Sequence, residues 1–309
     1  MALTPDAEIR SDDVSAAGRG GGSRLPRGGG RGSRGLKIGG GGGCLLLVIV
    51  VIYALTGGNP LDLLGDGSTT QQGPVAEGGS LEHCLDGADA NEQDDCLVQA
   101  TIESGDSLWA QLAPTAGMQF LEPQGRVFEG SVQTGCGAAT AEVGPFYCPA
   151  DATIYVDINF FEALSGRYGA DGGQLAKMYV VAHEYGHHIQ RLSGTMQDAD
   201  RSQTGPQSDA VRLELQADCY AGVWAHHAAN TVDDTGNAML DPLTEQDIAS
   251  ALSAASAVGD DHIQGVVAGG QVRPESWTHG SSAQRGAWFT TGYQQGTVQA
   301  CDTFSADQV

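Results

Sequence analysis

Two histidines four residues apart, His183 and His187, with Glu184 between them, are the residues of this chain best suited to chemistry. The surrounding residues 174–192 have helical spacing, and on a helix positions i and i+4 stack on one face. Both imidazoles can then point at one metal ion, and Glu184, one step round, can reach a water bound to it. His-Glu-x-x-His on a helix is the spacing that holds zinc with the glutamate as general base. The pattern is short and recurs by chance, as two histidines on a packed or solvated face. Its context here is an apolar stripe, Leu175, Met178, Tyr179 and Ala182, that places the helix in a core.

Catalytic zinc takes three protein ligands and keeps one position open for water. Gln190 and Ser193 stand where the extended form of the motif needs a glycine and a third histidine, which excludes that form. The other solution is a glutamate on a later helix. Residues 209–228 have helical spacing, and Glu214 and Asp218 share one face beside Leu213, Ala217, Ala221 and Trp224. Acids beside a buried stripe need partners. Glu214 is the candidate third ligand. Asp218 is the candidate acceptor that orients a ligand histidine through its other ring nitrogen. A solvated acidic face is the bland alternative.

Other histidines carry weaker signals. His188 points about 100° away from the motif face on an ideal helix and fits packing or surface better than ligation. His226 and His227 sit at a helix end, where a helix-dipole role is favoured. His279, in a polar turn at 277–282, is a candidate donor to the oxyanion of a tetrahedral intermediate, or an ordinary loop histidine. Gly259-Asp260-Asp261-His262 fits helix capping better than a calcium site.

The elements that must position these residues are mostly helical. Helical spacing covers 81–113, 174–192 and 209–228; a further helix at 244–258 follows the N-cap candidate Thr244, and one more lies within 277–299. Strands are expected at 125–133 and 153–158. The fold class is α+β, rich in helix with a small sheet. Strand 153–158 is a candidate edge for an extended peptide, and its Tyr155 is a second candidate for oxyanion stabilisation.

The net charge is −23 over 309 residues, unevenly spread. Residues 1–43 carry seven Lys/Arg against four acids, and the remainder is net −26. Such an acidic domain does not bind nucleic acid through phosphate neutralisation. Residues 1–37, rich in Gly, Arg and Ser, read as a disordered cytoplasmic tail. Residues 44–55 are apolar, and the uncharged run 38–58 is long enough to span a bilayer. The nearby basic residues precede it, so the expected topology is single-pass in the cell membrane, with the N-terminus cytoplasmic and the rest outside. A cleaved signal peptide is the rival, weakened by the long preceding segment and a poor cleavage site. Residues 59–80 read as a flexible linker, and 81–309 as the folded domain.

Beyond Cys44 in the apolar run, six cysteines remain: Cys84, Cys96, Cys136, Cys148, Cys219 and Cys301. An even count in an exported domain suggests disulfides. The spacing of Cys84 and Cys96 repeats in Cys136 and Cys148, which suggests two local bridges and leaves Cys219 with Cys301. Fifteen pairings exist, and sequence does not choose among them.

Several runs, in one order, resemble the neutral zinc metallopeptidases of bacteria. They are Gly144-Pro145-Phe146-Tyr147-Cys148-Pro149-Ala150-Asp151, then Ala182-His183-Glu184-Tyr185-Gly186-His187-His188-Ile189-Gln190. Next come Glu214-Leu215-Gln216-Ala217-Asp218-Cys219-Tyr220-Ala221-Gly222-Val223-Trp224 and Gly259-Asp260-Asp261. The last are Thr278-His279-Gly280-Ser281-Ser282, Gln284-Arg285 and Trp288-Phe289. The resemblance covers about residue 81 to the C-terminus. It implies a zincin-like, gluzincin-type fold and a membrane-associated zinc metalloendopeptidase. One Zn2+ would be held by His183, His187 and Glu214, with Glu184 as base and a peptide or protein substrate of unstated sequence. Two other classes are weighed against it: a non-catalytic zinc-bound envelope domain that binds a protein partner, and a disulfide-stapled structural protein with incidental histidines.

Overall fold

The computed structural model describes residues 3–9, 14–17 and 79–309. Its centre is a helix, α4 (Gln174–Ser193), whose apolar stripe and His motif are almost wholly buried. Earlier helices are α1 (Gly87–Glu92), α2 (Asp94–Thr115) and α3 (Asn159–Gly166). Later ones are α5 (Asp209–His227), α6 (Glu245–Ala257) and α7 (Ser282–Gln295). The α+β expectation fits: among the described residues the helices accompany a five-stranded sheet, which packs against α2 and α4, and a two-stranded hairpin.

The sheet runs β2 (Gly79–Ser80), β1 (Val14–Ala16), β3 (Gln124–Phe128), β7 (Thr153–Asp157), β6 (Phe146–Cys148). The hairpin is β4 (Ser131–Thr134) with β5 (Gly137–Thr140). Strand β7 pairs in parallel with β3 and antiparallel with β6. All five of its residues are buried, as befits a strand with both faces covered. This corrects the expectation of a peptide-binding edge at 153–158: β7 is interior, and β6 is the terminal strand on that side.

Close helix packing is written in small residues. A Cβ at Gly186 on α4 would lie 2.9 Å from the backbone of Ala217 on α5. A Cβ at Gly222 would lie 2.1 Å from the Phe289 carbonyl of α7, and one at Gly292 1.9 Å from the Cys219 carbonyl. Helix α5 therefore touches α4 and α7 backbone to backbone. Helix α6 begins at Thr244 as expected, with a capping box in which Thr244 and Asp247 satisfy each other's backbone N–H groups. Three disulfides are formed, Cys84–Cys96, Cys136–Cys148 and Cys219–Cys301, as the repeated spacing suggested.

The N-terminal residues differ from the expected tail. Leu3, Ala7, Ile9 and Val14 are buried in the domain, and β1 inserts between β2 and β3. The body is shaped to receive them: a Cβ at Gly87 would strike the Thr4 carbonyl, and one at Gly125 would strike Val14. The Asp233 carboxylate accepts the Glu8 N–H at 2.9 Å. The run 38–58 and residues 59–78 lie outside the described residues. Among the described residues no helix is long and apolar enough to cross a membrane.

If the arm belongs to the fold, Val14→Asp puts a carboxylate against Ile102 and Gly125 without a partner. The cost is on the order of 1–3 kcal/mol, which lowers the melting temperature by several degrees. Unchanged melting by circular dichroism would show that the arm is dispensable.

Candidate metal centre

Helix α4 supplies His183 and His187, one turn apart, and α5 supplies Glu214 opposite them. Their donor atoms all lie within 4.8 Å of one another. Glu214 Oε2 is 3.3 Å from His183 Nε2, and its Oε1 is 3.6 Å from His187 Nε2. Ligands about 2.0–2.1 Å from a tetrahedral zinc stand roughly 3.3–3.5 Å apart. The two glutamate–histidine separations match that spacing, so the three side chains converge on a position where such an ion could sit. The close approach at Gly186 sets the helices at this spacing.

Each imidazole is oriented through its other nitrogen. His183 Nδ1 donates to Asp218 Oδ1 at 2.8 Å, and His187 Nδ1 to Gln190 Oε1 at 2.9 Å. Gln190 is itself fixed, its amide donating to the Leu213 carbonyl and to Gln216. Nδ1–H on both rings leaves both Nε2 lone pairs facing Glu214, which suits metal ligation. Asp218 therefore stands where the sequence placed it, beside His183.

Asp218 is fully buried, and two further partners hold it. Arg285, from α7, donates from Nε at 2.8 Å and from Nη2 at 2.9 Å, and the Tyr179 hydroxyl donates to Oδ1. Burial alone would raise the Asp218 pKa, but Arg285 and His183 hold it below the usual carboxylate range. Burial opposes protonation of His183, yet Asp218 and Glu214 bring its pKa up to about 9. Glu214 is likewise held low against its burial, by His187, His279 and His183. The pocket strongly prefers positive charge at its centre, from a proton or a metal.

Glu184 is 7 % exposed and faces the same cavity as the three donors. It has no hydrogen-bond or ion-pair partner among the described residues. His279 also lines this cavity. Its loop is built on Asp260, whose Oδ2 accepts the N–H groups of Thr278, His279 and Gly280 at 2.7–3.0 Å. Glu214 and Asp260 raise the His279 pKa against the effect of burial. Asp261 accepts the Ser282 N–H at the start of α7. Residues 259–262 thus organise a loop and a helix start, as the capping reading holds.

The remaining candidates fall elsewhere. The Tyr155 hydroxyl donates to Asp151 and Tyr155 does not line the cavity, so its oxyanion role is withdrawn. His188 is buried packing, Nε2 donating to the Leu121 carbonyl and Nδ1 accepting from the Tyr147 hydroxyl. His226 and His227 donate to the carbonyls of Tyr293 and Gly296 at the end of α7, so they cap a neighbouring helix. His83 and Asp95 adjoin Cys84 and Cys96, but the disulfide removes those sulfurs as thiolate ligands.

Sequence reasoning missed Arg285, Tyr179, Gln190 and Asp260 as parts of the site. Gln190 had a signal, lying three residues after His187 on the same face. Tyr179 had one too, four before His183. Arg285 and Asp260 come from distant segments, and nothing in their local pattern points to α4.

A site of two histidines and a glutamate on paired helices, with a free glutamate beside it, is that of a zinc-hydrolase class. The chain belongs to the family described as putative neutral zinc metallopeptidase, whose profile matches residues 7–304. It is 49% identical over 253 residues to the uncharacterized protein Rv2575 of Mycobacterium tuberculosis, covering 82% of this chain and 85% of the relative. It is 38% identical over 239 residues to the uncharacterized protein YpfJ of Escherichia coli K12, covering 75% of this chain and 77% of the relative. No solved structure matches the chain. Family membership implies Zn2+.

Two outcomes are expected here. Asp218→Asn removes the carboxylate that orients His183 and is expected to weaken zinc binding about 10- to 100-fold, measured by competition with a chelator. The second concerns acid stability. Burial pushes the His188 imidazole down to about 4 from 6.5. The fold holds it neutral, so its contribution is complete above pH 6.5 and lost as pH falls towards 4. Urea unfolding across that window is expected to show the decline, and His188→Gln to flatten it.

Proposed function

We propose that this chain is a zinc-dependent peptidase that cleaves extended peptides in the cavity beside α4. The observation that carries the reading is Glu184, a carboxylate without a protein partner among the described residues that opens into the cavity next to His183, His187 and Glu214. A carboxylate open to the cavity beside the metal position is placed to act on a water bound there.

One zinc ion, held by His183, His187 and Glu214, would supply Lewis acidity, making a water acidic and a carbonyl electrophilic. Glu184 takes the proton from the attacking water and later delivers it to the leaving amine. His279, which lines the cavity and whose pKa Glu214 and Asp260 raise against its burial, donates to the oxyanion as the carbonyl becomes tetrahedral. Asp260 holds the His279 loop through three backbone N–H groups, so this donor is in place before the reaction. The terminal strand β6 borders the cavity through Phe146 and Tyr147, and its outer edge is available to align a peptide as an added strand. The three disulfides favour an oxidising, extracytoplasmic compartment.

Zinc-loaded wild type and Glu184→Gln are to be compared on a mixed peptide library by mass spectrometry. The variant is expected to keep stoichiometric zinc and lose cleavage by about 100-fold or more. His279→Ala is expected to keep zinc and lose roughly 100-fold in kcat. Full zinc with no Glu184-dependent cleavage would replace this reading with that of a non-catalytic zinc-bound domain.

A further inference from the structure

The cavity extends past the metal ligands and has a volume of about 300 Å³. That is the lower end of sites that take small organic groups, roughly 300–1,000 Å³. One part of its wall is apolar. Val180 lies three residues before His183 and four before Glu184, so it shares their helix face. Phe160 and Tyr168 line the same cavity with ring centroids 5.9 Å apart. Val258, just after α6, and Ile263 complete this set. All but Val180 are only partly covered by protein. Apolar surface thus remains open to solvent beside the reactive groups.

The backbone polar atoms of this wall are already engaged. The Tyr168 carbonyl accepts from His262 Nε2 at 2.8 Å, and the Val258 carbonyl from Arg285 Nη1 at 3.2 Å. Two of the charged groups nearby are committed, while Arg201 also lines the cavity. Asp260 is satisfied by the 278–280 loop, and Arg285 by Asp218. Gly144 bounds the wall with a φ of 74°, and a Cβ there would sit 3.3 Å from the Phe160 ring. A side chain at 144 would be strained and would crowd that ring, so glycine keeps this part of the cavity open.

We propose that this wall is a specificity pocket for a bulky apolar side chain on the substrate residue next to the scissile bond. Preferred substrates are then extended peptides with Leu, Ile, Met or Phe at that position. The proposal rests on the peptidase reading for the identity of the occupant. The occupant follows from continuity: the apolar wall and Glu184 line one cavity, so a chain held at the metal centre has its neighbouring side chain within reach of Val180. Burial of a side chain the size of Leu favours it over Gly by roughly tenfold to a hundredfold.

The test uses the zinc-loaded full chain carrying Glu184→Gln and hydroxamic acids with Gly, Ala, Leu, Phe and Asp side chains, with affinity read by calorimetry. Leu and Phe compounds are expected to bind at least about tenfold tighter than Gly and Asp. Val180→Trp, and separately Ile263→Trp at a more exposed position, are expected to abolish that preference with zinc content unchanged. Equal affinities, or a preference for Asp, overturn the pocket; so does a Leu preference that survives both variants. The two readings fail separately. Selective binding without cleavage by wild type removes the peptidase and keeps the pocket, whereas cleavage with no apolar preference removes the pocket and keeps the peptidase.

Discussion

The buried carboxylate of Asp218 is the interaction on which the rest of this structure depends. It is 0 % exposed, and its charge is tolerable only because Arg285, Tyr179 and His183 all donate to it. Those partners come from two other helices: Tyr179 and His183 from α4, Arg285 from α7. One carboxylate therefore pins three helices together at the point where a metal would sit. Removing one partner of a buried ion pair strands the other, at a cost of about 3–5 kcal/mol. Orientation of the ligand His183 and integrity of the core are thus the same problem.

Helix spacing follows from this arrangement. The Asp218 side chain meets partners from α4 and α7 where the backbones come close, and Gly186, Gly222 and Gly292 sit at the contacts. The disulfide Cys219–Cys301 joins the buried face of α5 to the segment after α7. With the helices fixed, Glu214 reaches both histidines and leaves Glu184 facing open space. The site's electrostatics also follow. Arg285 balances Asp218, so the net negative charge near the metal position comes from Glu214 and Glu184. A dication there is compensated without the site becoming strongly anionic.

Much of this was legible in the sequence, for identifiable reasons. The His motif, Glu214 and Asp218 could be read because each pair is separated by one helical turn, a local relation. The capping box at Thr244 is equally local. The sheet was harder. Strand β6 is three residues between Pro145 and Pro149, too short for alternation to show, and its pairing with β7 is all that makes it a strand. The same holds for β1, where Val14 is an isolated apolar residue in a stretch otherwise rich in glycine, arginine and acids. Strand 153–158 was recognised, but its buried interior position depends on neighbours that local pattern does not reveal. Arg285 and Asp260 were invisible as site residues because their partners lie 67 and 19 residues away.

His183, His187 and Glu214 are proposed to hold a single zinc ion. X-ray absorption at the zinc edge, on the full chain loaded with one equivalent, tests it most directly. The expected spectrum shows about four nitrogen and oxygen neighbours near 2.0–2.1 Å, with imidazole scattering from two rings that falls to one in His187→Ala. Sulfur neighbours near 2.3 Å, or a spectrum unchanged by His187→Ala, would contradict it.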